Sequence, residues 1–422
     1  MATATQLAAA RTDAVEDLPP SVEYSTPRWS PDDRSIAFAA NESGFHQTIY
    51  LVDVAGGEPK ALTSANDIRG LTWQPDGSGL VYASSEGTVL SYPPVFNLRS
   101  VSGDGAVERQ LTVGDVSYVQ PDMTQPDSLF ASRVRMQSDI WRFPVSGSPA
   151  DNVERAVRIT HQTGQVQTPS VSPDGNAIVY LSDSGGHSNV WVADIDGSNT
   201  RELTFEGDPA VLIGIPNWSP AGDRIVYIRT DADGAAEWLI DPDGSGKRRL
   251  VAGVAANWSR DGQWLYFASP GVEQQCISRI AIQDNSERRV RCGAAAPQIS
   301  ADGTTLYFSP TDARLNVLMK ATPEDGPAEP LATYAQSRIP AWPTGYALSP
   351  DDRWLAVPLR DERTTNLWAI PTDGGPFRQI TDFGNRATLI CRQVSWSRDG
   401  ASIYAALVET DADIVQFDGI AL

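Results

Sequence analysis

The chain has 422 residues, 41% of them hydrophobic, with 34 glycines, 30 prolines and a formal net charge of −20. This composition is that of a globular, turn-rich protein, and no apolar run approaches the ~20 residues of a membrane-spanning helix. The Lys247-Arg248-Arg249 run is short, and the chain carries 33 Lys and Arg against 53 Asp and Glu. Nucleic acid is therefore not expected as a partner, and the acidic surface suits solubility or a cationic partner.

Residues 1–20 are rich in alanine and threonine, with Arg11 as the one basic side chain. They lack the basic start and apolar core of a signal peptide. The compartment stays open: cytoplasmic as it stands, periplasmic if the sequence is a processed form. The stretch reads as a tail, with Ala14 to Leu18 as a candidate strand.

From residue 21 onward one grammar repeats. Its clearest copy is Asn257-Trp-Ser-Arg-Asp-Gly-Gln-Trp-Leu-Tyr-Phe267, a strand, a tight turn and a second strand rich in aromatic and branched residues. The anchors are Trp29-Ser-Pro-Asp-Asp33, Trp73-Gln-Pro-Asp-Gly77, Val119-Gln-Pro-Asp-Met123, Val171-Ser-Pro-Asp-Gly175, Trp218-Ser-Pro-Ala-Gly222, Trp258-Ser-Arg-Asp-Gly262, Ile299-Ser-Ala-Asp-Gly303, Leu348-Ser-Pro-Asp-Asp352 and Trp396-Ser-Arg-Asp-Gly400, spaced 40–52 residues apart. After each turn comes a second strand, such as Ala177 to Leu181. A polar loop and a third strand follow, such as Asn189 to Ala193 or Asn366 to Ile370. A fourth strand ends in Leu-Thr or Ile-Thr, as at Leu203-Thr204 and Ile380-Thr381. No helical periodicity interrupts the series.

Four strands per repeat at this period predict an all-β fold, a single β-propeller of four-stranded antiparallel blades over residues 21–422. Nine repeats are counted, with eight blades as the fallback. Trp29, Trp73, Trp218, Trp258 and Trp396 are expected in the core between blades. The last repeat ends on Asp413 to Phe417 as its third strand, so Ala14 to Leu18 is expected to supply the fourth and close the ring.

The recurring Pro-x-Trp-Ser-Pro-Asp-Gly, Ile-Trp/Tyr-Val-x-Asp and Asp-Gly-x-x-x-Arg-x-Leu-Thr elements resemble the TolB-like, WD-related propeller repeat of bacteria. The resemblance covers about residues 21–422. Bacterial TolB is a periplasmic six-bladed propeller with an N-terminal α/β domain, and it binds a peptidoglycan-associated lipoprotein. The present chain lacks that domain and carries more repeats. The resemblance therefore implies the fold and not that role.

Catalytic signatures are sparse. There is no Gly-x-Ser-x-Gly elbow and no phosphate-binding Gly-x-x-x-x-Gly-Lys loop. The Asp-x-Asp-Gly stretches lack the further acidic ligands of a calcium loop. Only His46, His161 and His187 could build a histidine metal site, as in propeller lyases acting on acidic sugars. Cys276 and Cys292 flank a candidate hairpin centred on Asp284. They would stand opposite each other within disulfide reach or remain two reduced cysteines; a bond would indicate an oxidising compartment. At the funnel mouth, Arg28, Arg69, Asn217, Asn257 and Arg392 are the candidate ligand-binding residues, arginine being suited to a carboxylate.

Two functions follow. The leading one is a non-catalytic, monomeric TolB-like scaffold that binds a protein or small-molecule ligand at one face of the ring, with no cofactor. The alternative is an enzyme, a lyase or hydrolase of acidic or glycan substrates, with a divalent metal in the central channel.

Overall fold

The computed structural model describes residues 27–420 apart from 44–45, 86–94, 115, 163, 209–210, 270–273, 313–315, 336, 341–344 and 362–363. Among the described residues the fold is all-β, with one short helix at Pro149–Glu154.

Each hairpin grows from its Ser-x-Asp turn. Ser172 donates to Asp174 at 2.5 Å, Asp174 accepts the Asn176 amide at 3.0 Å, and the Ser172 hydroxyl accepts the Ala177 amide at 2.9 Å. The same three bonds recur at Ser259, Ser300, Ser349 and Ser397. The serine hydroxyl holds the carboxyl of Asp174, Asp302, Asp351 and Asp399 below the usual carboxylate range. Gly175 closes its turn at φ +79°, while Asp33 and Asp352 accept φ +58° and +59° in the equivalent place.

The terminal Thr of the fourth strand is a fastener. The Thr204 hydroxyl accepts the Val190 amide at 2.9 Å and donates to Asn189 at 2.8 Å. Thr381 treats Leu367 and Asn366 in the same way, and Thr160 does so with Ile140 and Asp139.

The chain gathers into two compact units, one of residues up to Met136 together with Thr410 onward, the other Gln137–Glu409. In the larger unit four sheets are independent and four-stranded, each in simple up-and-down order. Their first strands are Val166–Val171, Leu212–Trp218, Val254–Trp258 and Ala294–Ile299; they are the fourth to seventh sheets. The eighth is built on Trp354–Asp361, Thr364–Pro371 and Arg378–Gln379. The ninth contains Thr388–Trp396 and the start of the strand Ser402–Asp418. Its remaining members are the end of Ser128–Pro144 and Val157–Arg158.

Apolar side chains at one position of the third strand face the next sheet: Ile140, Val190, Ile277, Leu318 and Leu367 are all buried. Each such burial is worth about 1.5–3 kcal/mol. Buried clusters join the fourth sheet to the fifth and so on to the ninth, and Ile140 and Tyr404 of the ninth cluster with Val166 and Ile178 of the fourth.

The smaller unit has two four-stranded groups, starting at Arg28–Trp29 and Leu71–Trp73. It also has a three-stranded third sheet of Ser117–Gln125, the start of Ser128–Pro144 and the end of Ser402–Asp418.

Three expectations are corrected. The turn expected at Val119 to Met123 is a bulged strand: Met123 lies opposite Leu129, and the reversal follows Gln125. Methionine is poorly suited to the left-handed conformation that glycine, or the aspartates at 33 and 352, adopt at this point of the other turns. Asp413 to Phe417 is no separate third strand of the ninth sheet, because Ser402–Asp418 runs on unbroken. Trp29 is 57% exposed, whereas Trp73, Trp218 and Trp396 are each 8% exposed. These indoles point toward the preceding sheet, and no sheet precedes the first among the described residues. The candidate strand Ala14 to Leu18 lies outside the described residues.

Candidate functional site

In the larger unit, the first strands share an irregularity. Each register breaks at the same place: Gln167/Ser170, Gly214/Asn217, Val254/Asn257, Ala295/Gln298 and Cys391/Val394. At each break a non-glycine residue takes a left-handed conformation: Thr168 at φ +50°, Ile215 at +42°, Ala255 at +58°, Ala296 at +54° and Arg392 at +54°. Such a residue costs about 1–3 kcal/mol, and β-branched Thr168 and Ile215 are the least suited. Strain repeated at one level of five sheets marks a constructed feature.

Four of these bulges line one small recess. It is lined by Ile215, Ala255, Asn257, Ala296, Gln298, Tyr346, Arg392 and Gln393. Three of the strained residues form its apolar wall, and Arg392 brings a guanidinium. Asn257, Gln298 and Gln393 contribute amides that both donate and accept.

The wall is held from behind by bonds between sheets. Ser170 donates to Asn217 at 3.0 Å, and Asn217 donates to Asn257 at 3.0 Å. The Val171 amide donates to Ser395 at 3.0 Å. The Gln298 side chain donates to the Tyr346 carbonyl at 3.1 Å, and the buried Tyr346 hydroxyl donates to the carbonyl of strained Ala296 at 2.5 Å. The Trp258 and Trp396 indoles donate to the carbonyls of Asn217 and Ala347 on the preceding sheets. A further support is Glu237, fully buried, whose carboxyl accepts the Ala256 amide at 3.0 Å. Burial pushes this carboxyl up to about 8.

Of the five residues expected at a funnel mouth, Asn257 and Arg392 line the cavity. Asn217 belongs to the bonded support. Arg28 and Arg69 lie in the smaller unit. The Arg28 carbonyl accepts the Trp73 indole, while Arg69 pairs with Asp67 at 3.0 Å and lies over the Phe96 ring.

His46 opens a strand of the smaller unit, opposite Asn66. In the larger unit, exposed His161 follows the outer strand of the ninth sheet. His187 sets its two ring nitrogens against the carbonyls of Ser188 and Asp208 at 3.1 and 3.0 Å. Among the described residues no three His, Cys, Asp or Glu side chains form a metal-holding group. Cys276 and Cys292 face each other across their hairpin and are joined as a disulfide.

Sequence reasoning missed Gln298, Tyr346 and Gln393. A signal existed for the first. Thr168-Pro169-Ser170, Ile215-Pro216-Asn217 and Ala296-Pro297-Gln298 share one pattern directly before the anchor. Proline there carries no amide that the broken ladder would leave unpaired.

Comparison with known proteins agrees with these repeats. A TolB β-propeller domain model matches residues 4–204. An uncharacterised protein of Agrobacterium fabrum is 31% identical over 185 residues, 41% of this chain and 59% of that protein. The Tol-Pal system protein TolB of Bordetella pertussis is 28% identical over 152 residues, 36% of this chain and 33% of that one. The chain thus spans less than two thirds of either relative. A putative TolB of Agrobacterium tumefaciens superimposes with a TM-score of 0.52 at 18% identity, over 66% of this chain and 99% of that one. That likeness speaks for the fold alone.

Proposed function

As the chain is a TolB-like β-propeller repeat protein, we propose that its larger unit is a non-catalytic ring of six blades that binds a protein or small-molecule ligand at the cavity between its first strands. Six blades replace the nine, or eight, expected from counting anchors. Support comes from the run of shared cores from the fourth sheet to the ninth and from the ninth back to the fourth. The last blade draws its outer two strands from residues before the first strand of the fourth sheet, so the ring needs no strand from residues 14–18.

The observation that carries the binding role is the cavity wall itself. Its described side chains offer three amides, one guanidinium and apolar surface, with no nucleophile paired to a base. Such a wall recognises and orients without reacting. Arg392 suits a carboxylate or another planar anion, and the amides suit a peptide backbone or an amide-bearing small molecule. A protein partner accords with the relative that is named a Tol-Pal system protein.

A photoreactive amino acid placed at Gln393, with Thr304 on an exposed turn as the control site, tests this in the native organism's extract. Specific adducts from position 393, suppressed by Arg392→Glu, are the expected result. Absence of any adduct specific to 393 would refute the binding site. Stoichiometric divalent metal, lost from a His161→Ala/His187→Ala protein, would replace it with the enzyme reading.

A further inference from the structure

Every sheet of the larger unit has an outer fourth strand, as do the first two sheets of the smaller unit. The third sheet does not. Its strands are Ser117–Gln125, then the start of Ser128–Pro144, then residues 410–418. The third strand is anchored on its inner side: Arg133 pairs with Asp413 at 2.7 Å, Gln416 donates to Ser128 at 3.0 Å, and the Gly419 amide donates to the Asp127 carbonyl. Phe417 packs edge-on against Tyr118. On its outer side no strand is paired among the described residues.

That outer edge has a definite character. Asp411, Asp413 and Asp418 stand along it without a cation of their own strand, and all three are exposed. Between them Ile414 is 82% exposed, an isolated large apolar side chain at the centre of the strand. An unpaired strand edge presents free amides and carbonyls and templates a further strand. Its carboxylates repel an acidic strand and attract a basic one.

We infer that the 410–418 edge is a second binding site, which takes a fourth strand from an extended, lysine- or arginine-bearing segment of a partner protein. The backbone ladder supplies affinity. Asp411 and Asp418, on opposite faces of the strand, select for positive charge, and Ile414, on the Asp418 face, covers one apolar side chain of the guest. This site is independent of the cavity in the larger unit, and its success or failure leaves that reading untouched.

The test uses the full chain and a labelled nine-residue peptide alternating lysine with valine and threonine, beside a version with glutamate for lysine. Fluorescence anisotropy reads affinity, and amide hydrogen exchange reads location. The lysine peptide is expected to bind with an affinity that falls as salt rises, and to slow exchange at 410–418. The Asp411→Lys/Asp418→Lys variant should lose at least tenfold in affinity while keeping its unfolding transition. Ile414→Pro, which removes one edge amide, should abolish the slowed exchange. The inference is overturned if the glutamate peptide binds equally well, if the double variant binds unchanged, or if neither peptide binds. It is likewise overturned if amides 410–418 are already protected in the peptide-free chain, which would assign the edge to residues 1–26 or, where sedimentation shows a dimer, to a second copy.

Discussion

Glu237 sits where the other third strands place Ile140, Val190, Ile277, Leu318 or Leu367, in the interface with the next sheet. Its carboxyl is fully buried and held by one bond, from the Ala256 amide. Burial raises it from 4.5 to about 8. In the unfolded chain the carboxyl loses its proton near 4.5; in the fold it keeps the proton until about 8. Between those values the folded state binds one more proton, so stability falls as pH rises, by about 1.4 kcal/mol per pH unit. The penalty is absent below pH 4.5 and complete above about 8, where it reaches on the order of 4–5 kcal/mol. Glu237→Gln keeps the acceptor for Ala256 and cannot ionise. Urea unfolding followed by tryptophan fluorescence, from pH 5 to 9, should show the variant gaining steadily on the parent as pH rises. A difference between the two proteins that stays flat across this range would refute the reasoning. The same geometry explains why a carboxyl stands there. Sheets four, five and seven have Pro169, Pro216 and Pro297 after the strained residue, whereas the sixth has Ala256, whose amide needs an acceptor. Measured against Glu237→Gln, Glu237→Val should therefore cost about 1–3 kcal/mol for the orphaned amide, and adding Ala256→Pro should recover most of it.

Three further perturbations test other parts of the fold. Ile215→Gly relieves a left-handed β-branched residue that is only half-buried; the relief of about 1 kcal/mol or more should offset much of the lost burial, so urea unfolding should show a loss below about 1 kcal/mol, well short of the 2–5 kcal/mol typical of truncating a fully buried isoleucine. Thr381→Val removes the hydroxyl that accepts the Leu367 amide and should cost about 1–3 kcal/mol in the same assay. Cys276→Ala/Cys292→Ala opens a loop with a sequence separation of 16 and should lower stability by about 3 kcal/mol, and reducing agent should then have no further effect on the melting temperature.

The local grammar was legible because it is written in bonds between near neighbours. Ser172, Asp174 and Gly175 determine their own turn, and Thr204 determines how the outer strand meets Val190 and Asn189. The pairing of Cys276 with Cys292 could be read as one of two outcomes from the hairpin around Asp284. What escaped was partnership at long range. Val408-Glu-Thr-Asp-Ala-Asp413 has the polarity of a loop, yet it continues as strand because its neighbour is the equally long Ser128–Pro144. Nothing within a few residues of either strand encodes that exchange. The cavity was half legible. Asn257 and Arg392 were found through their place beside an anchor, while Tyr346 and Gln393 depend on which sheets adjoin, a property of the assembled core.

The ninth sheet has a consequence for synthesis. Residues 137–144 and 157–158 leave the ribosome early, but the strands beside which they settle begin at Thr388 and Ser402. They can pair with each other early, but the edge that will meet Ser402 onward waits unpaired and Phe143 stays uncovered through most of translation, and pairing so distant in sequence is intrinsically slow. A nascent chain stopped before Ser402 would carry these segments as sticky ends, a natural foothold for a chaperone or a protease until Ser402–Asp418 has been made.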